Sequence, residues 1–154
     1  MTTPLEKLRQ YGYELPMPKA PVASYVPITR VGNLIYVSGQ ISIGSDDVVV
    51  TGSLGETMNV VQGGNAAELC AVNILAQLVH NAGVRLEDIK QIVKLTVFVS
   101  SAPDFTEQHL VANGGSNLII GVLGDKGKHA RSAIGVAGLP RGAAVEIEAI
   151  VEVA

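Results

Sequence analysis

The sequence predicts an α+β fold, a mixed β-sheet with two helices packed on one face, for three reasons. Its 154 residues are the length of one domain with one core. Two stretches alternate apolar and polar residues with the period of a strand, Val93, Leu95, Val97 and Val99 in one and Val145, Ile147, Ala149, Val151 and Val153 in the other. Between Gln62 and Asn81 the apolar residues Leu69, Val72, Ala76 and Val79 instead recur every three or four positions, with Leu75 and Leu78 widening the stripe.

The elements follow in order. Thr3, Pro4 and Glu6 form a capping box with proline at the first helical position, which predicts a short helix from Pro4 to about Tyr11. Pro16, Pro18, Pro21 and Pro27 forbid a helix between Tyr13 and Pro27 and predict an extended arm wrapped on the surface. Tyr25 to Thr29 and Leu34 to Ser38 are β-prone runs separated by Gly32 and Asn33, the composition of a tight hairpin. Val48 to Val50 is a further short run, expected as an edge strand. The helix from Gln62 to Asn81 stops at Gly83, and the strand Ile92 to Ser100 comes next. A second long helix is expected to start at Asp104 as cap and to end at Gly124. Gly114 and Gly115 inside it each cost about 1 kcal/mol relative to alanine, so they need a reason: close backbone packing first, with a break in the helix or the approach of a ligand as the alternatives. Lys126 to His129 read as a turn. Strands Arg131 to Ala137 and Ala144 to Val153 close the chain, joined through Leu139, Pro140, Arg141 and Gly142.

Composition bounds the partners. Apolar residues make up 47% of the chain, and charged residues only 16%, below the ~25% of ordinary soluble proteins. With a positive mean hydropathy, this predicts that part of the surface is buried against other subunits; an unusually apolar monomer is the alternative. A net charge of −3 argues against general nucleic-acid affinity, which comes from Lys and Arg neutralising phosphates. No apolar run approaches the ~18 residues of a membrane span. Cys70 is the single cysteine, so a disulfide framework is excluded, and Met1 to Gln10 carries Glu6, Lys7 and Arg9 in place of an apolar signal core. A reducing, cytoplasmic setting is expected.

Most catalytic motifs are missing. His80, His109 and His129 are scattered, which predicts no metal site. Gly121 to Lys128 has the wrong glycine spacing for a phosphate loop and follows a helix rather than opening one. No Gly-x-Ser-x-Gly elbow occurs, and Cys70 falls on the apolar stripe of a helix, as a core residue does. What remains is Arg131 with Glu146 and Glu148 on the following strand. If the last two strands form a hairpin, Arg131 faces one of these glutamates, either in an ordinary cross-strand ion pair or in a site that binds carboxylates.

Two strings resemble a known family. Ala130-Arg131-Ser132-Ala133-Ile134-Gly135-Val136-Ala137, then Leu139-Pro140 and Val145-Glu146-Ile147-Glu148-Ala149, is similar to the C-terminal signature of the Rid/YjgF family of reactive-intermediate deaminases. Tyr25-Val26 and Gly32-Asn33-Leu34-Ile35-Tyr36-Val37-Ser38-Gly39-Gln40 resemble its N-terminal signature, so the likeness runs from about Tyr25 to Val153. It implies a single chorismate-mutase-like domain spanning residues 1–154, with residues 1–24 as an N-terminal extension. It also implies a homotrimer whose sheets enclose a central barrel, with clefts between neighbouring subunits. In that family the arginine matching Arg131 binds the substrate carboxylate, and the glutamate matching Glu146 handles the attacking water. Tyr25, Ser38, Gly39 and Asn113 match positions lining the cleft, Asn113 with one gap allowed. Ala133 also lies there, in place of a frequent cysteine, which excludes cysteine chemistry. The segment from Phe105 to Arg131 is longer than in the well-characterised deaminases, which implies a subgroup with a reshaped cleft.

The resemblance implies hydrolysis of 2-imino or 2-enamino acids without metal or cofactor. A guanidinium fork can hold a carboxylate, and a nearby carboxylate can move the protons of a water attacking the imine carbon. A module that binds a small carboxylic acid without turnover is the second reading. Endoribonuclease activity, a label attached to some relatives, is the third; the acidic balance and the lack of a histidine pair oppose it.

Overall fold

A computed structural model describes residues 1–21 and 23–154. Among the described residues the chain is mixed α+β, with three α-helices and one five-stranded sheet. Helix α1 spans Pro4–Gln10 and has the expected cap: Thr3 Oγ1 accepts from the Glu6 N–H while the Glu6 carboxylate accepts from the Thr3 N–H. Leu8 anchors it in the core. The arm that follows has neither helix nor strand through Pro21 and from Ala23 to Pro27; the expectation for Val22 lies outside the described residues.

Strands β1 (Ile28–Val31) and β2 (Leu34–Ile41) form the predicted hairpin, with Gly32 at φ 59° in its two-residue turn. The first strand starts later than predicted, because Tyr25 to Pro27 bend before pairing begins. The run Val48 to Val50 forms no strand. It is held by an isolated bridge between Ile43 and Val49 and by hydrogen bonds that join Val50 to Ser42 and Ala144, so it is a strap across a strand end.

Helix α2 (Val60–His80) is capped reciprocally by Asn59 and Gln62 and buries Val72, Leu75, Ala76 and Leu78 of its predicted stripe, with Cys70 among the core residues. Strand β3 (Ile89–Ser100) buries Leu95, Val97 and Val99 as predicted, but Val93 is exposed and Ile92 is buried in its place. A bulge between Ile92 and Lys94 shifts the pairing there and turns Val93 to the other face.

Helix α3 (Gln108–Leu123) begins four residues after Asp104. Its N-cap is Glu107, whose side chain makes no cap bond, and the Phe105 N–H is taken by the Ala102 carbonyl in a preceding turn. Gly124, at φ 69°, ends the helix. Gly114 packs against helix α2 as predicted: a Cβ there would lie 2.7 Å from the carbonyl carbon of Gly64 and 2.8 Å from its Cα.

Strands β4 (Ala130–Val136) and β5 (Val145–Val153) complete the sheet in the order β1-β2-β5-β3-β4. They are not a hairpin. Strand β4 runs parallel to β3 at the edge, and β3 separates it from β5. A hairpin is the simplest reading of the turn near Pro140, but β3 and β4 are joined through α3, the connection that parallel neighbours need. Val145, Ile147, Ala149, Val151 and Val153 face the helices as predicted. Glu146, Glu148, Ile150 and Glu152 face away from them.

Candidate functional site

The topology decides what Arg131 can touch. On edge strand β4 it pairs in register with Leu95, a buried residue of the helix-facing side, so its side chain rises toward α3. There Nη1 donates to Asn113 Oδ1 at 2.9 Å and to Ser116 Oγ at 3.1 Å, and Nη2 donates to the His109 carbonyl at 3.2 Å. The three partners come from one face of α3 because positions 109, 113 and 116 are spaced by four and three residues. All three are neutral. Among the described residues Arg131 has no carboxylate partner, so the ion pair with Glu146 or Glu148 that the sequence leaves open does not form. A guanidinium carries five N–H groups. Three are taken, and Nε–H and one Nη2–H remain.

Glu146 lies elsewhere. It pairs with Phe98 on β3 and Ile41 on β2, on the face away from the helices. Its carboxylate rests over Gly39, where an added Cβ would come within 2.8 Å of the Glu146 Cδ. Gly39 sits at the irregularity where β2 slips its register on β5 between Val37 and Gln40. Ser38 is beside it and donates from Oγ to the Val26 carbonyl at 2.8 Å, tying the Tyr25–Val26 segment to this group. Tyr25 is 53% exposed, so its ring is free to meet a partner.

The predicted residues therefore form two groups. Arg131, Asn113 and Ala133 lie between β4 and α3, while Tyr25, Ser38, Gly39 and Glu146 lie around β1, β2 and β5. Arg131 and Glu146 project from opposite faces, with β3 between their strands. One copy cannot bring them together.

The surroundings of Glu146 favour its protonated form. Partial burial first, then the neighbouring Glu148 charge, raise its pKa above the ordinary 4.5. A raised carboxyl pKa means that the folded chain holds this proton more tightly than the unfolded chain does. The stability it contributes is present at low pH and lost as pH rises through the raised value. Glu146→Gln is therefore expected to be more stable than wild type at pH 7, with the difference closing as pH falls toward 4.5; urea unfolding across that window measures it.

Ser116, His129 and the His109 carbonyl are not legible in the sequence as site components. The available signal is the spacing of Asn113 and Ser116 on one helical face and the position of His129 two residues before Arg131, just ahead of β4. A β4–β5 hairpin points to the glutamates instead. Among the described residues no group of His, Cys, Asp and Glu is placed to hold a metal ion, and no helix is long and apolar enough to cross a membrane.

A sheet with helices on one face defines a small α+β protein, and at its edge stands an arginine with no ion pair among the described residues. Residues 17–153 match the family model described as Endoribonuclease L-PSP, so the chain belongs to that family, the Rid/YjgF family. It is 45% identical over 146 residues to Protein TCP17 of Trypanosoma cruzi, covering 94% of this chain and 91% of that protein. It is 30% identical over 137 residues, 88% of this chain and 91% of the relative, to a 2-iminobutanoate/2-iminopropanoate deaminase of Dermatophagoides farinae. The crystal structure of Atu1372 from Agrobacterium tumefaciens, a protein described as of unknown function, superposes with a TM-score of 0.92 at 49% identity. That match covers 99% of this chain and 94% of that one, so it includes the N-terminal extension.

Proposed function

We propose that this protein is a cofactor-free deaminase that hydrolyses small 2-imino and 2-enamino acids to 2-oxo acids and ammonia, in clefts between the subunits of a cytoplasmic homotrimer. The observation that carries this reading is Arg131: a half-buried guanidinium held by three neutral acceptors, with two N–H groups left and no counter-charge among the described residues. Such a group favours an anion, and two N–H donors match the two oxygens of a carboxylate. The likeness to a named 2-iminobutanoate/2-iminopropanoate deaminase supports the substrate class.

With the carboxylate on Arg131, the imine carbon one bond away is presented to water. Attack forms the C–O bond and moves the C=N electrons to nitrogen. Glu146 takes a proton from the attacking water and passes it to the nitrogen, giving a carbinolamine; it then passes the hydroxyl proton to the same nitrogen, so that the C–N bond breaks as the C=O bond forms and ammonia leaves with both protons of the water. A carboxyl with a raised pKa is suited to both halves of that exchange near neutral pH. Enamino acids enter after tautomerising to the imine.

Arg131 and Glu146 can share one substrate only across two copies. The face away from the helices is suited to such contact: Tyr36 and Ile134 are 42% and 46% exposed, and Ile150 and Phe98 lie in the same cross-strand rows. The low charged fraction agrees with a surface partly covered by subunits.

The test generates 2-imino acids of several side chains with an amino-acid oxidase and follows 2-oxo acid formation. Purified wild type is expected to accelerate it. Binding of 2-oxo acids without acceleration would instead favour a binding module, and Arg131-dependent cleavage of RNA would favour a nuclease. Gly39→Ala separates the role of Glu146 from stability. The new methyl displaces a flexible carboxylate rather than backbone, so activity is expected to fall about 10- to 100-fold, while the melting temperature moves by no more than about 3 °C.

A further inference from the structure

We infer that Ser116 and His129 are positioning residues for Arg131, joined to it in a one-directional chain of hydrogen bonds that starts at the Gly127 carbonyl. His129 Nδ1 lies 2.6 Å from the Gly127 carbonyl oxygen. That oxygen can only accept, so Nδ1 carries the ring proton. The lone pair of the neutral imidazole is then on Nε2, which faces Ser116 Oγ at 2.8 Å. Arg131 Nη1 approaches the same Oγ at 3.1 Å, and a guanidinium cannot accept. The Ser116 proton therefore points to His129, and its lone pairs point to Arg131. Each link has one polarity only.

The surroundings keep the chain in this state. Ser116 is only 6% exposed, on the inner face of α3, so water does not compete for its hydroxyl. Burial first, and then the Arg131 charge, lower the His129 pKa below 6.5, against the opposing pull of the Gly127 carbonyl. Both favour the neutral ring, in which Nε2 is an acceptor. A serine hydroxyl inside a helix otherwise turns back to the carbonyl four residues earlier. His129 draws it outward instead, which fixes the oxygen that receives Nη1. With Asn113 and the His109 carbonyl as the other supports, the chain sets the plane of the guanidinium and so the direction of its two remaining N–H groups. That functional consequence rests on the proposal that Arg131 binds the substrate carboxylate; the polarity of the chain does not.

Two measurements test this separately. Long-range ¹H–¹⁵N NMR of wild type at pH 7 is expected to show His129 as the Nδ1–H tautomer. In Ser116→Ala the Nε2 resonance should shift, and the Arg131 Nε–H signal should weaken through faster exchange with solvent. An Nε2–H tautomer, or an Arg131 signal indifferent to Ser116→Ala, overturns the chain. In kinetics, Ser116→Ala and His129→Leu are each expected to raise KM for 2-iminobutanoate roughly tenfold, with kcat within about twofold, as for a lost orienting hydrogen bond. Ser116→Thr, which keeps the hydroxyl, is expected to restore KM. Variants that melt earlier with KM unchanged assign both residues to stability alone and overturn the positioning role. A wild type inert toward the imine refutes the deaminase proposal, while the NMR result still decides the chain.

Discussion

Arg131→Ala is expected to lower kcat/KM for 2-iminobutanoate by roughly 10²- to 10³-fold, because two charge-assisted hydrogen bonds are together worth about 3 to 4 kcal/mol and each 1.4 kcal/mol is a factor of ten. The loss should not come from unfolding. Arg131 stands on edge strand β4 without an ion pair among the described residues; its bonds to Asn113 and the His109 carbonyl are exposed, so water can replace them, and buried Ser116 keeps its bond to His129. The melting temperature is therefore expected to stay within about 3 °C of wild type. Arg131→Lys keeps the charge but loses the planar fork, which places it between the two, at about 10- to 100-fold below wild type. Steady-state ammonia release from an imine generated in situ, beside a melting curve for each variant, separates the chemistry from the fold.

Gly114→Ala is expected to have the largest effect on stability, about 3 kcal/mol or more of destabilisation. The added methyl would meet the carbonyl carbon of Gly64 at 2.7 Å and its Cα at 2.8 Å. Those are backbone atoms of α2, so no side-chain rotation relieves the contact and the two helices must separate. The reciprocal change has the opposite sign. A Cβ on Gly64 meets nothing within 4 Å, and its φ is not in the left-handed region, so Gly64→Ala is expected to stabilise the chain by about 0.5 to 1 kcal/mol through lower entropy of the unfolded state. Urea unfolding of both variants checks the pair: destabilisation by both, or by neither, contradicts the packing described for this crossing.

The same helix crossing shows what is legible in the sequence. Periodicity locates α2, β3 and β5, because burial of one face imposes a repeat of 3.6 or 2 that survives in the residues themselves. The Gly114–Gly115 pair is readable as close packing for the same reason: its cost in a helix demands an explanation. Less visible are features set by partners distant in the chain. The bulge that exposes Val93 depends on the register of β5, and the strap at Val48 to Val50 depends on Ser42 and Ala144. The placement of β4 beside β3 is hidden because a short turn between two β-prone runs looks like a hairpin whichever neighbours the strands finally choose. That one difference in topology moves Arg131 from the glutamates of β5 to α3. Family likeness still singles out Arg131, Asn113, Glu146 and Gly39, but it does not expose Ser116 and His129, whose roles come from hydrogen bonds between a helix and the strand after it.

The proposed mechanism requires Arg131 of one copy and Glu146 of a neighbour to serve one substrate, and subunit complementation tests that requirement most directly. Arg131→Ala and Glu146→Gln chains, each nearly inactive alone, are unfolded together, refolded as a mixture and assayed for deamination. If each site draws the two residues from different copies, random mixing restores both native residues in about one quarter of the sites, and about one quarter of wild-type activity should return. If mixed assemblies form and activity stays at the sum of the two parents, the two residues do not meet across an interface, and the shared intersubunit site is refuted.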